Sequence, residues 1–367
     1  MAHFPQRLTG YLARQYAVSF LTVLGGFLFI IFLADTVELL RRSATKDDVS
    51  LGLVFEMAIL KLPVLGQKAF PFAALFAAMA VFWRLSRHHE LVVIRAAGIS
   101  VWQFLAGPLI VAMAFGVLQA TGVSPLASAT LARFERIEAI HMHKRTDPLF
   151  ISEAGLWLRQ ATANGAAVIR ADRVSRTNDT VELRRVIVFE FSGPDRFARR
   201  IEADRARLIS GAWALEKVWF FTPEQPARYQ PFYRMPTDLT RSRIEDSFAS
   251  PETISFWRLP DFIRTLEAAG FAATGHRLHY QVMLATPLLM AAMVLIAATV
   301  TLRHARRGGA TVVIVGGVAG GFLIYLFSDI IHAIGLSDRA PVVLAAWTPA
   351  VMAALLGLSL LLHLEDG

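Results

Sequence analysis

The feature that most constrains this chain is a set of six apolar runs, each long enough for the roughly 20 helical residues that cross a hydrocarbon core. They cover Tyr16 to Leu40, Lys61 to Trp83, Val101 to Gly122, His279 to Leu302, Ala310 to Ile334 and Pro341 to His363. Backbone polar groups in lipid must be satisfied within the segment, so runs of this length read as helices. Only 18% of the 367 residues are charged, against about 25% in soluble domains, and most of those charges lie between Pro125 and Gly275. The sequence therefore predicts a membrane α-helical bundle of six transmembrane helices with a polar domain inserted after the third. The expected divisions are 1–124, 125–275 and 276–367. The first run is too long for a signal-peptide core and has no small-residue cleavage site, so it is expected to remain as a helix. With no cysteine, disulfides, zinc-thiolate sites, iron–sulfur clusters and cysteine nucleophiles are excluded.

Basic residues orient the runs. Arg7 and Arg14 precede the first, Arg84, Arg87 and Arg95 fill the loop after the second, and Arg303, Arg306 and Arg307 fill the loop after the fourth. By the positive-inside bias these segments are cytoplasmic, which places the inserted domain outside the cytosol. The net charge of +8 would suit nucleic acid or lipid phosphate equally, but an outward polar domain argues against nucleic acid.

Within the insert, short β-rich runs alternate apolar and polar residues at Leu156 to Gln160, Ala167 to Val174, Glu182 to Phe191, Ile201 to Ile209 and Trp213 to Phe221. Turn pairs separate them at Asn164-Gly165, Asn178-Asp179, Gly193-Pro194 and Ser210-Gly211, a spacing that suits an antiparallel sandwich or β-jelly-roll. Thr253 to Gly270 reads as an amphipathic helix, with residues 259–270 as a linker into the fourth run.

Several residues could carry chemistry. In residues 84–98, Ser86 is a candidate N-cap, Leu91, Val92 and Ile94 sit among charges, and Gly98 can end a short helix. Two readings stay open: the helix inserts into a partner's groove, or it lies on the headgroups. Arg41 and Arg42 follow the first run against the charge bias, and Lys68 and Lys61, roughly 24 and 35 Å up the second run from Arg84 at 1.5 Å per residue, share nearly one helix face. Cations at that depth point to an anionic headgroup, or else snorkel to ordinary phospholipid. Asp329 and His332, three residues apart, could form a proton relay or a plain polar contact. His141 and His143 lack a third metal ligand by spacing. There is neither a phosphate-binding Gly-Lys-Ser/Thr loop nor a Gly-x-Ser-x-Gly elbow, so no enzyme activity or cofactor is expected and ATP-driven work would need another subunit.

The stretch Arg84-Leu85-Ser86-Arg87-His88-His89-Glu90-Leu91-Val92-Val93-Ile94-Arg95-Ala96-Ala97-Gly98 resembles the coupling helix of the LptF/LptG lipopolysaccharide-export permeases. Leu39-Leu40-Arg41-Arg42, Phe70-Pro71-Phe72-Ala73-Ala74-Leu75, Gly155-Leu156-Trp157 and Leu259 to Gly270 extend the resemblance over nearly the whole chain, and Glu-Leu-Val-Val leans to the LptG branch. The resemblance implies one half of an ABC transporter in the bacterial inner membrane, with its jelly roll in the periplasm. It also implies an LptF-like half, an LptB-like ATPase dimer and an LptC-like periplasmic partner as companions, and lipopolysaccharide as substrate. Glu90 then matches the acid that contacts the ATPase, with Leu91, Arg95, Ala97 and Gly98 around it. Arg41 and Arg42 match positions facing lipid A phosphates. Lys61 and Lys68 are added from depth and facing, and Asp35 stands where relatives can carry lysine. Two other readings remain: a permease for another amphiphile such as lipoprotein, against which six helices argue, and a proton-coupled carrier or intramembrane enzyme using Asp329 and His332.

Overall fold

The computed structural model describes residues 3–44, 50–139, 141, 149–152, 155–162, 165–177, 180–192, 196–223, 225–237, 250–268, 272–304, 310–337 and 339–366. These fall into two compact units. One is helical and comprises residues 1–142, 251–257 and 274–367; the other is strand-rich and comprises 143–250 and 258–273.

In the helical unit, α1 (His3–Ser43), α2 (Leu51–Arg87), α3 (Glu90–Ala96) and α4 (Val101–Leu118) are followed by a π-helical turn (Gln119–Val123) and α5 (Ser124–Glu138). The C-terminal part contains a 3-10 turn (Pro251–Thr253), α7 (Thr274–His304), α8 (Ala310–Leu336) and α9 (Val342–Asp366); α6 (Leu259–Ala268) belongs to the other unit. Among the described residues, six helical spans are long and apolar enough to cross a membrane, with α4, the π turn and α5 forming one of them. Helix starts are written in the sequence. The Ser50 hydroxyl accepts from the Leu53 amide at 3.3 Å, and Ser100 and Gln103 form a reciprocal capping box at the head of α4.

Residues 125–138, which charge content groups with the polar insert, are helical and belong to the bundle. Pro125 occupies the first turn of α5, directly after the π turn. Ala127, Leu131 and Phe134 face Leu39 of α1 and Val54, Met57 and Ala58 of α2, while Arg133, Glu135 and Arg136 lie on the other side. An amphipathic continuation of this kind is invisible to a hydropathy window.

The bundle's centre is made by α2 and α7. Their most apolar windows are 61% and 72% buried, against 11% for α1 and α8. Both present small residues: Ala69, Ala73, Ala74, Ala77 and Ala78 from α2, and Ala292, Ala297 and Ala298 from α7. Small side chains let helix backbones approach where lipid removes the hydrophobic drive for association. Tyr16 and Phe20 bring α1 onto this core, with Phe20 stacked on Phe115 of α4 at 4.4 Å and the Tyr16 hydroxyl donating to the Ala74 carbonyl at 3.5 Å.

Among the described residues, the strand-rich unit is a seven-stranded antiparallel sheet in chain order: β1 (Leu149–Ser152), β2 (Gly155–Thr162), β3 (Gly165–Thr177), β4 (Thr180–Ser192), β5 (Arg196–Ile209), β6 (Ala212–Phe221) and β7 (Arg228–Pro236). The expected jelly roll thus takes the form of an open meander among the described residues. One register row runs Leu158, Ile169, Val188, Ile201, Phe220 across five strands, and all five side chains are buried. Trp213 and Met235 sit opposite each other in the same interior. The sheet curls around this apolar face. At its mouth the Thr237 hydroxyl donates to Gln160 Oε1 of β2 at 2.7 Å, and Gln160 Nε2 donates to the Pro236 carbonyl at the end of β7 at 3.3 Å. The predicted Thr253 to Gly270 helix is shorter than expected: α6 begins at Leu259, buries Leu259, Ile263 and Leu266, and ends at Ala268. Gly270 and the turn pairs at Asn178-Asp179 and Gly193-Pro194 lie outside the described residues, whereas Gly211 adopts the left-handed φ of +75° that a tight strand connection requires.

The close crossing of α4 and α7 rests on Gly116, where a Cβ would meet the Pro287 Cα at 2.5 Å. Gly116→Ala is therefore expected to destabilise the bundle by about 1–3 kcal/mol, read as a lower melting point in detergent. Gly10→Ala, with nothing within 4 Å, should melt with the wild type. Identical melting of both variants would show that the two helices do not approach so closely.

Candidate functional site

Candidate residues gather at the two ends of the helical unit. At the α3 end the chain leaves α2 through a two-residue turn. His88 N–H bonds the Arg84 carbonyl at 3.0 Å, and His89 adopts the left-handed conformation with φ 60°. Ser86 is therefore not an N-cap: it lies inside α2, and its carbonyl accepts from His89 N–H at 3.2 Å. The helix starts at Glu90 instead and ends as predicted at Gly98, which has φ +75°. There the Gly98 amide bonds the Arg95 carbonyl at 3.0 Å and the Ile99 amide reaches the Ile94 carbonyl at 3.4 Å. These are the paired bonds of a Schellman stop, so a helix of only seven residues is held at its C-terminal end.

Leu91 and Ile94 turn inward against the bundle core, while Val92 and Val93 stand 62% and 68% exposed. Arg95, Ala97 and Gly98 are exposed beside them. Glu90 is half-buried, and one of its carboxylate oxygens accepts from the Tyr11 hydroxyl of α1 at 3.4 Å. Tyr11 has no signal in a single sequence. The contact ties the first turn of α3 to a second membrane helix.

About 45 Å along α1, taken at 1.5 Å per residue, Arg41 and Arg42 converge on one carboxylate. Arg41 engages both oxygens of Glu38 at 3.0 and 3.1 Å, Arg42 donates to Glu38 at 2.7 Å, and Glu138 of α5 lies 3.9 Å from Arg42. The 3- and 4-residue spacing of Glu38, Arg41 and Arg42 was readable as a helical ion-pair pattern. Lys61 and Lys68 are engaged by different partners. Lys61 Nζ donates to Asp35 Oδ1 at 2.7 Å and lies 5.4 Å from the Phe134 ring centre, whereas Lys68 pairs with Glu252 at 3.1 Å. Both pairings join residues far apart in sequence, which spacing cannot reveal.

Glu252 belongs to the segment Pro251–Trp257, which grips the third span at its π turn. The Trp257 indole N–H donates to the Thr121 carbonyl at 3.1 Å, the Phe256 amide bonds the Ser124 hydroxyl at 3.2 Å, and Phe256 stacks on Tyr280 of α7 at 5.3 Å. A π turn frees a carbonyl from the regular ladder, and here Trp257 satisfies one.

Asp329 is exposed on α8, His332 is half-buried, and among the described residues no hydrogen bond or ion pair joins them. A ring nitrogen of His141 lies 3.1 Å from the Ile137 carbonyl, and His143 falls outside the described residues. No grouping of three or more potential metal ligands occurs among the described residues.

Comparison with known proteins matches residues 10–363 to the family model described as lipopolysaccharide export system permease LptF/LptG. The lipopolysaccharide export system permease protein LptG of Escherichia coli K12 is 24% identical over 318 residues, covering 83% of this chain and 84% of that protein, and LptG of an E. coli O6:H1 strain matches equally. With six membrane-competent helices and an inserted sheet in the same chain, the protein belongs to the LptF/LptG permease family, as a multi-pass inner-membrane transporter component rather than an enzyme.

Proposed function

We propose that the chain is an LptG-type half of an ABC transporter that extracts lipopolysaccharide from the inner membrane and passes it through a periplasmic β domain to a bridge. Its companions in this reading are an LptF-like half, an LptB-like ATPase dimer and an LptC-like partner. The observation that carries the reading is α3: seven residues, capped by a Schellman stop, that point two valines away from the bundle beside an acidic first turn. A headgroup-lying helix would have to lay its apolar side on lipid. Here the inward side is already used against the core, so the exposed valines suit a partner's groove.

A push on α3 reaches α2 and α4 through the short connections at its ends and reaches α1 through Tyr11 and Glu90. α2 then carries Lys61 and Lys68 with it, and Lys68 is paired to the segment that leads to the β domain. The exposed stripe of α1, including Leu21, Phe29, Leu33 and Val37, together with exposed Val318 and Phe322 of α8, suits the LptF-like half across a lateral opening. Arg41 and Arg42, side by side at one end of α1, suit phosphate on the lipid headgroup.

Glu90→Lys is expected to cut co-purification of the ATPase subunit, or to uncouple its hydrolysis from lipid extraction; wild-type assembly and extraction would refute α3 as the coupling element. Arg41→Glu with Arg42→Glu is expected to lower photo-cross-linking to lipopolysaccharide at least about five-fold, at roughly 1 kcal/mol for each basic residue near an anionic surface. Undiminished cross-linking would remove the arginines from headgroup binding. Asp329→Asn is expected to leave extraction intact; its loss would restore the proton-relay reading.

A further inference from the structure

Strands β5, β6 and β7 turn one face to the apolar interior of the sheet and the other outward, and the outward face is itself partly apolar. Trp219 and Tyr229 lie opposite each other in the β6–β7 register with ring centres 5.1 Å apart, and they are 45% and 48% exposed. Phe232, further along β7 and opposite Glu216, is 73% exposed. Neighbouring aromatic rings left in water on one face of a sheet mark a surface that something else covers.

The charges around the rings give the sign of the occupant. Each carboxylate on this face already holds a cation: Glu202 pairs with Arg200 at 2.9 Å, Asp204 with Lys217 at 3.4 Å, and Glu216 with Arg207. Arg205 and Arg234 are left over, both exposed and without an ion pair among the described residues. Arg205 shares the register row of Glu216 and Phe232, and Arg234 stands two residues beyond Phe232 on the same face. Pro231 and Pro236 blunt β7 as an edge for strand addition, so the surface on offer is the face.

Trp and Tyr set among basic side chains suit the headgroup layer of a bilayer, where amphipathic rings concentrate and arginine meets lipid phosphate. The bilayer is also the partner nearest in the chain. Residues 269–273 join α6 to the membrane-competent helix α7, a reach of at most about 18 Å. Contact with lipid is therefore intramolecular, and a patch too weak to hold a free protein can still be occupied.

We propose that the Trp219–Tyr229–Phe232 face docks on the anionic phospholipid surface of the membrane that holds the helices, with Arg205 and Arg234 meeting lipid phosphates and the rings seated at headgroup depth. The occupant is bulk phospholipid and not the transported lipid, so the inference stands independently of the lipopolysaccharide reading.

Because the chain has no cysteine, a single spin label at Ala214→Cys, which lies between Arg207 and Arg234 in register, reports on this face alone. The test uses the full chain with its co-purifying subunits in nanodiscs free of lipopolysaccharide, and compares the label's accessibility to oxygen with that to a water-soluble nickel chelate. The label is expected at headgroup depth in phosphatidylglycerol discs and in water in phosphatidylcholine discs. Arg205→Gln with Arg234→Gln removes two exposed, unpaired charges and should melt with the wild type. It is expected to lower the ratio of docked to free label in phosphatidylglycerol about thirty-fold, the worth of two basic residues near an anionic surface. Phe232→Ser should also shift the label towards water. A label in water in both kinds of disc overturns the proposal. Equal burial in both assigns the face to a protein neighbour, and burial that appears only when lipopolysaccharide is added assigns it to the transported lipid; either result overturns it too.

Discussion

The structure hangs on the approach of α2 to α7 across a layer of alanines. In lipid no water is displaced by bringing apolar helices together, so contact area and dispersion must do the work, and these grow only when backbones come close. Ala73, Ala77 and Ala78 meet Ala292, Ala297 and Ala298 in one core, and Gly116 lets α4 lie directly on Pro287. What matters for function is carried by the inner helix of this pair. α2 runs on into the turn before α3 at one end and bears Lys61 and Lys68 towards the other. A rigid, centrally packed helix therefore connects the exposed valines of α3 with the ion pairs at the far end.

Much of the architecture was legible because lipid restricts the choices. A run of some 20 apolar residues has few alternatives to a helix, and all six spans are present, each longer than its apolar window. The five strands read from alternation appear in extended form. The two that were missed have clear reasons: β1 has only four residues, and β7 contains Pro231 and Pro236, which mark an edge and suppress the strand signal. The end of α3 was readable because Gly98 is the residue a left-handed stop requires. Its start was misread at Ser86, because a good capping residue can equally well sit inside the helix before.

The candidate site was less legible, and the reason is charge pairing across helices. A lysine at membrane depth looks the same in a sequence whether it is free or bound. Asp35 lies 26 residues before Lys61, and Glu252 comes from the other side of the strand-rich insert to meet Lys68. Only the fold brings those carboxylates to the cations, turning an apparently bare basic rim into a set of ion pairs. The grip of Trp257 on the Thr121 carbonyl has the same character, since nothing in Gln119 to Val123 announces a π turn.

The seam at Gln160 has a consequence for how the strand-rich unit responds to load. A closed barrel has no place to part without breaking a ladder of backbone bonds, each of which must be re-formed in register. In the described residues, the ends of this curled sheet are clasped by the side chain of Gln160 on β2, through bonds to the Pro236 carbonyl and the Thr237 hydroxyl. Each such side-chain bond contributes about 0.5–1.5 kcal/mol. Parting the sheet at this seam would break those side-chain bonds while every strand kept its backbone neighbours.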